Sequence, residues 1–341
     1  MKKSLILYII IIALFYIYII YDMCKISQVD KFTQDLIPFY TISQRKQWNA
    51  NYGYCGETSF ITSLMYYGGY MSQYDMRELA MSLMTKKPKN QTVESSQLLL
   101  NSYNIDTKVA DALYFSYEKY TGNSPDDFVQ WIKKHTDNMI PVIIGVYESN
   151  AILEDKNDGD DTYDHIVSAL SVNDNMVTIC DNGLYTPDNI PQYIIDDIPI
   201  MTREDAYNND SIYAIPDIEA MLGNWGVAIT GITVPPECIR LQLTSDIIEE
   251  PEMENGSSVP PKGEKMVITI HMYDLKPNVT YKLYSYDNIH TMPKDNFNTN
   301  YNTKKIGTLV QTFTTPLEND ITDIINTSDT VIYRCVAEEQ N

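Results

Sequence analysis

Basic side chains are scarce in this chain: its 341 residues hold 25 Lys and Arg against 46 Asp and Glu, a formal net charge of −21. A surface of that sign repels a phosphate backbone, which excludes nucleic acid as a natural partner. Cysteine is sparse too. The five present are Cys24, Cys55, Cys180, Cys238 and Cys335, and no pair has metal-ligand spacing. A structural zinc site is therefore excluded, and no metal or other cofactor is expected. Only four histidines occur, so the place of each carries information. No internal repeat is evident. Tyrosine, by contrast, is abundant at 27 residues, which reads as a compositional bias and not as a function. With 44% hydrophobic residues the chain is long enough for one large or two ordinary domains with cores of their own.

Charge is also absent from Ser4 to Tyr21, an apolar run between Lys2-Lys3 and Asp22. A positive head on an apolar body fits a signal or signal anchor. The run is about as long as the shortest membrane-spanning helix, and no Ala-x-Ala-like cleavage site follows. The expectation is a single-pass membrane anchor over residues 4–21, with the bulk of the chain lumenal or extracellular; a secreted chain is the alternative. Sequons at Asn90, Asn209, Asn255, Asn278 and Asn326 agree with an exported glycoprotein. In an oxidising compartment Cys238 and Cys335 can bridge the ends of a C-terminal domain.

The chain then falls into helices followed by strands. Asn51-Tyr52-Gly53-Tyr54-Cys55-Gly56-Glu57-Thr58-Ser59-Phe60 is a glycine-rich turn that delivers one cysteine to an apolar-periodic segment. Phe60, Ile61, Leu64 and Met65 share a helical face, and Gly68-Gly69 ends the run. Further helices are expected from Ser72, with Asp75 in the capping position, over Val93 to Tyr103, and from Ser124-Pro125-Asp126-Asp127, a cap, a first-turn proline and first-turn acids. Ile140 to Tyr147, Asp164 to Val172, Met176 to Asp181 and Asn224 to Ile232 read as strands, the middle two as a hairpin turned at Asn173-Asp174-Asn175. The acidic stretch Glu154 to Asp164 reads as a solvated loop and not as a calcium site, though it can lend negative potential to a nearby cleft. From Val234 the texture is of β runs separated by Pro and Asn turns. The expected fold class is α+β, with residues 1–22 as anchor or signal, 23–233 as a first domain and 234–341 as a small, fibronectin-III-like β-sandwich.

Cys55 would stand at a helix N-terminus, where unpaired N–H groups and the helix dipole favour a thiolate. His165 opens a strand downstream of it, and sixteen residues later the hairpin returns with Asp181-Asn182. Neighbouring ends of a hairpin bring a carboxylate or amide beside the imidazole. Acyl transfer through a thiol asks for this order: a nucleophile, a base that takes its proton, and a third residue that orients the base. His135, at the polar end of a helix, and His271 and His290, in the β region, need no such reading.

The segments Tyr52 to Ser59, Leu64 to Gly68, Ile140 to Ile144, His165 to Leu170 and Val177 to Asp181 resemble the double-glycine-leader peptidases, the papain-fold cysteine peptidases of family thirty-nine. The resemblance covers roughly residues 40–185. It implies a papain-like cysteine peptidase domain with Cys55 as nucleophile, His165 as general base and then acid, and Asp181 as orienting residue, with Asn182 the alternative for that role. It also implies an amide donor for the oxyanion ahead of the cysteine: Gln47, or Asn49 in its place. No ATP-binding motif is present, so the family's transporter-fused role is not implied. The expected activity is hydrolysis of peptide or amide bonds in a peptide or protein substrate. Two rival readings are a non-catalytic surface adhesion or recognition protein on the same scaffold, and a thiol-dependent acyltransferase.

Overall fold

The computed structural model describes residues 36–39, 54–83, 105–148, 163, 165–182, 194–202, 205, 213–217, 224–247, 265–289, 307–315 and 320–338. The chain divides into two units, Met1–Leu36 and Ile37–Asn341, and all regular structure among the described residues belongs to the second.

That structure is mixed α+β and mostly sheet. Helix α1 (Cys55–Met65) is followed by the short strand β1 (Gly69–Tyr70) and helix α2 (Gln73–Leu83). Helix α3 (Ile105–Ala112), strand β2 (Phe115–Lys119) and helix α4 (Pro125–Thr136) come next. Strands β3 (Val142–Glu148), β4 (His165–Asn173), β5 (Met176–Asp181), β6 (Ile194–Ile198), β7 (Ile200–Met201), β8 (Tyr213–Pro216) and β9 (Gly226–Ile232) complete the first half. The second half is β10 (Leu241–Ile247), β11 (Lys265–Met272), β12 (Thr280–Tyr286), β13 (Thr308–Thr314), β14 (Ile321–Asn326) and β15 (Val331–Ala337). The expected helix over Val93 to Tyr103 lies outside the described residues, whereas α3, β1, β2, β6, β7, β8 and β14 were not anticipated.

Local chemistry accounts for the helix starts. Ser124 Oγ accepts from the Asp127 N–H at the head of α4, and Ser72 Oγ accepts from the Asp75 N–H at the head of α2. Strands β2, β9, β3, β4, β5 and β6 lie side by side in that order, with β8 joining β3 to the parallel strand β7. Alternation along β3 and β4 sends Ile143 and Ile166 into the apolar cluster of α1, and Val142, Ile144 and Val167 into that of Phe128, Val129 and Ile132 on α4. The sheet is thus covered on both faces.

Every residue of α1 is buried. Its apolar cluster continues without a break past Val234, into Leu241 and Leu243 of β10, Ile268 of β11 and Ile332 of β15. Strand β1 pairs directly with β15, Gly69 opposite Ile332, and the Thr330 hydroxyl donates to Asp75 Oδ2 over 2.6 Å. No division of the core falls at the proline-flanked segment Val234 to Glu237. The later strands form two antiparallel sheets, β1-β15-β12-β13 and β10-β11-β14. Cys238 and Cys335 are free thiols, so the expected bridge is absent.

The membrane anchor expected over residues 4–21 is corrected. Among the described residues no helix is long and apolar enough to cross a membrane. The longest of them has 12 residues, and a helix of that size spans about 18 Å against a hydrocarbon core of about 30 Å. Residues 4–21 themselves lie outside the described residues. The transmembrane and signal-anchor assignments, and the single-pass location built on them, are therefore not supported.

Two positions hold α1 in place. Glu57 and Arg77 form an ion pair of 2.7 Å with both side chains fully buried. Breaking such a pair leaves an uncompensated charge inside the protein. Glu57→Gln is therefore expected to cost about 3–5 kcal/mol in urea unfolding, and Glu57→Leu combined with Arg77→Met much less than the sum of the single changes. Gly68, at φ +81, turns the chain from α1 into β1, and a Cβ there would lie 2.8 Å from Leu241 Cβ. Gly68→Ala should lower stability by about 1–3 kcal/mol, measured the same way.

Candidate active site

Tyr54 occupies the N-cap of α1 without a side-chain cap bond, and Cys55 takes the first helical position. The helix therefore presents its nucleophile candidate beside N–H groups that no side chain caps. Asn182, just past β5, clamps this turn to the sheet. Its Nδ2 donates to Cys55 O at 2.9 Å, to Ile166 O at 3.1 Å and toward Ser59 Oγ at 3.2 Å.

The β4–β5 hairpin brings the other two residues together. His165 opens β4 and Asp181 closes β5, and His165 Nε2 donates to Asp181 Oδ1 over 2.9 Å. With Nε2 engaged, Nδ1 is the ring nitrogen left for a hydrogen bond with the Cys55 thiol. The second carboxylate oxygen of Asp181 accepts from Tyr213 Oη at 2.8 Å, and the Tyr213 ring stacks on the imidazole at 5.5 Å between centroids. Cys55 is 7% exposed, His165 4% and Asp181 1%. Solvent screening is thus weak, and each charge in the row depends on its neighbour.

Electrostatics follow from this packing. Burial by itself pushes the His165 imidazolium toward deprotonation, but hydrogen bonds with Asp181 and Cys55 and the charges of both outweigh it, holding His165 well above its ordinary range.

No family model matches this chain, and no curated protein matches it either.

His165 and Asp181 are brought together by their hydrogen bond, and Cys55 is within hydrogen-bonding influence of the same imidazole. The alternative orienting residue, Asn182, faces the helix instead. Gln47 and Asn49 lie outside the described residues. His135 packs on Trp131 with Nε2 3.3 Å from Glu118, His271 bonds Thr244 at 2.9 Å, and neither joins the site. The acidic stretch ahead of His165 lies outside the described residues except for Tyr163. Among the described residues no group of three or more His, Cys, Asp or Glu side chains is placed to hold a metal. Tyr213 escaped the sequence reading: it stands 32 residues beyond Asp181 with no local pattern to mark it.

The raised imidazole makes a pH prediction. A group whose folded-state pKa lies above its unfolded value contributes stability that is fully present below the unfolded pKa, about 6.5 for histidine, and lost as pH rises through the folded value. Proton NMR should place the His165 titration midpoint well above 6.5. Asp181→Asn and Cys55→Ala should each lower it, and unfolding stability should decline across that alkaline window less steeply in either variant.

Proposed function

We propose that this chain is a cysteine peptidase, a hydrolase of peptide or amide bonds, acting through Cys55, His165 and Asp181. One observation carries the reading: a buried imidazole joins a carboxylate on one side to the thiol at a helix N-terminus on the other. In such a row the base holds the thiol proton and the carboxylate sets the tautomer and orientation of the ring.

The Cys55 sulfur attacks the carbonyl carbon of the substrate, and His165 then protonates the departing amine. A water deprotonated by the same ring cleaves the thioester. Asp181, fixed by Tyr213, keeps Nε2–H pointing away from the thiol through both halves. Asn182 acts as a positioning residue, since it holds the backbone carbonyl of the nucleophile. We read the helix-plus-antiparallel-sheet half as a papain-like arrangement, supported by the nucleophile on α1 and the base on β4. The two small antiparallel sheets of the second half support the β-sandwich reading, with inner residues such as Leu243, Ile268, Leu283 and Ile332 in one cluster.

The test uses the full chain. Iodoacetamide should label Cys55 ahead of the other thiols near neutral pH, and a mixed peptide library should be cleaved. Cys55→Ala should abolish cleavage, while His165→Ala should lower the rate by at least about 10²-fold because the thiol loses its base. A Cys55 that labels no faster than the buried Cys180, with no cleavage of any peptide, would end the peptidase reading.

A further inference from the structure

Two residues ahead of His165 stands a buried donor that the mechanism above does not use. The Tyr163 hydroxyl is buried and has no hydrogen-bond partner among the described residues, although a buried tyrosine normally places its O–H on an acceptor. Its ring is held firmly. Trp225 stacks on it with centroids 5.3 Å apart and planes 28° from parallel. A Cβ on Gly145 would come within 2.3 Å of the same ring, so only glycine admits it there. Trp225 is pinned in turn, its Nε1 donating to Asp106 Oδ2 at 3.1 Å, and Lys119 Nζ reaches the same oxygen at 2.9 Å.

Position and charge relate this phenol to the nucleophile. Tyr163 precedes the catalytic base by two residues and shares the apolar cluster of α1 with Cys55 and Ile166. Burial above all, with the negative charges of Asp106 and Cys55 within electrostatic range, holds the phenol protonated. It is therefore a neutral O–H donor throughout the range in which a thiolate attacks. The chemistry leaves one atom in need of such a donor: the carbonyl oxygen, which gains a full charge in the tetrahedral intermediate.

We infer that the Tyr163 hydroxyl is an oxyanion donor for acyl transfer at Cys55, a reading that rests on the peptidase assignment. The sulfur forms its bond to the carbonyl carbon while the C=O π pair moves onto oxygen, which accepts from Tyr163 Oη. The pair then returns, the C–N bond breaks, and the amine leaves with the proton from His165. Water repeats the sequence on the thioester and releases the acid and the thiol. Tyr163 keeps its own proton throughout.

Two reagents separate this role from a structural one. Acylation by p-nitrophenyl acetate passes through an oxyanion, whereas iodoacetamide displaces iodide at a saturated carbon and generates none. Cys55→Ala supplies the background from the other thiols. In Tyr163→Phe, which keeps the ring and its stacking, acylation of Cys55 should fall about 10²-fold while alkylation stays within about twofold. Gly145→Ala, which displaces the ring and leaves the hydroxyl present, should lower the thermal midpoint and, assayed well below that midpoint, show the same split. Tyr163→Phe that acylates at the wild-type rate overturns the inference, as does a parallel fall in both reactions, which would place the hydroxyl's effect on the thiol. A wild-type Cys55 that neither alkylates preferentially nor acylates defeats the peptidase assignment and this inference together, and that outcome is visible before any Tyr163 variant is compared.

Discussion

A helix with no exposed face must satisfy all its polar groups inside the protein, and α1 is such a helix. Thr58, Ser59, Thr62 and Ser63 each turn their hydroxyls back onto the carbonyl four residues earlier. Glu57 cannot do this and takes Arg77, whose guanidinium lies over the Tyr54 ring at 3.4 Å from its centroid. These bonds clamp the first turn from within while Asn182 clamps it from the sheet. Cys55 has little freedom left, which is what the acyl transfer proposed for it would require.

The far end of α1 is constrained as strongly. Gly68 and Gly69 let the chain turn against β10 and β15 where no side chain fits. Tyr67 Oη donates to Ile229 O at 2.7 Å, and Tyr70 Oη to Thr327 O at 2.8 Å, so one turn of chain is tied to both halves of the molecule. The strands after Val234 are in this sense the outer wall of the helix that carries Cys55. Rigidity at the site and integrity of the C-terminal sheets are one property.

Asp181 and Asn182 show how a strand end divides labour. Successive residues in an extended chain point to opposite sides. Asp181 meets the imidazole and Asn182 meets the backbone of the helix, so neither can replace the other. A sequence reading that knows both stand at the end of β5 cannot choose between them, because the choice depends on which side faces α1.

The sequence by itself determined the helix boundaries that caps, proline and glycine mark, the β4–β5 hairpin, and the chain order Cys55, His165, Asp181. Those features are local: a capped first turn, an alternating run or a turn dipeptide acts over a few residues, and its physical cause is written in them. Tertiary structure alone decided the rest. Tyr213 reaches Asp181, Trp225 stacks on Tyr163, Arg77 neutralises Glu57, and the C-terminal strands close over α1. Each of these contacts joins residues far apart in the chain, and each is selected by which buried face remains open once the sheet has formed. Alternation marks a face as buried, but only packing names its partner. The apolar run of residues 4–21 shows the other limit of local pattern, since only local features of the sequence spoke for a membrane span.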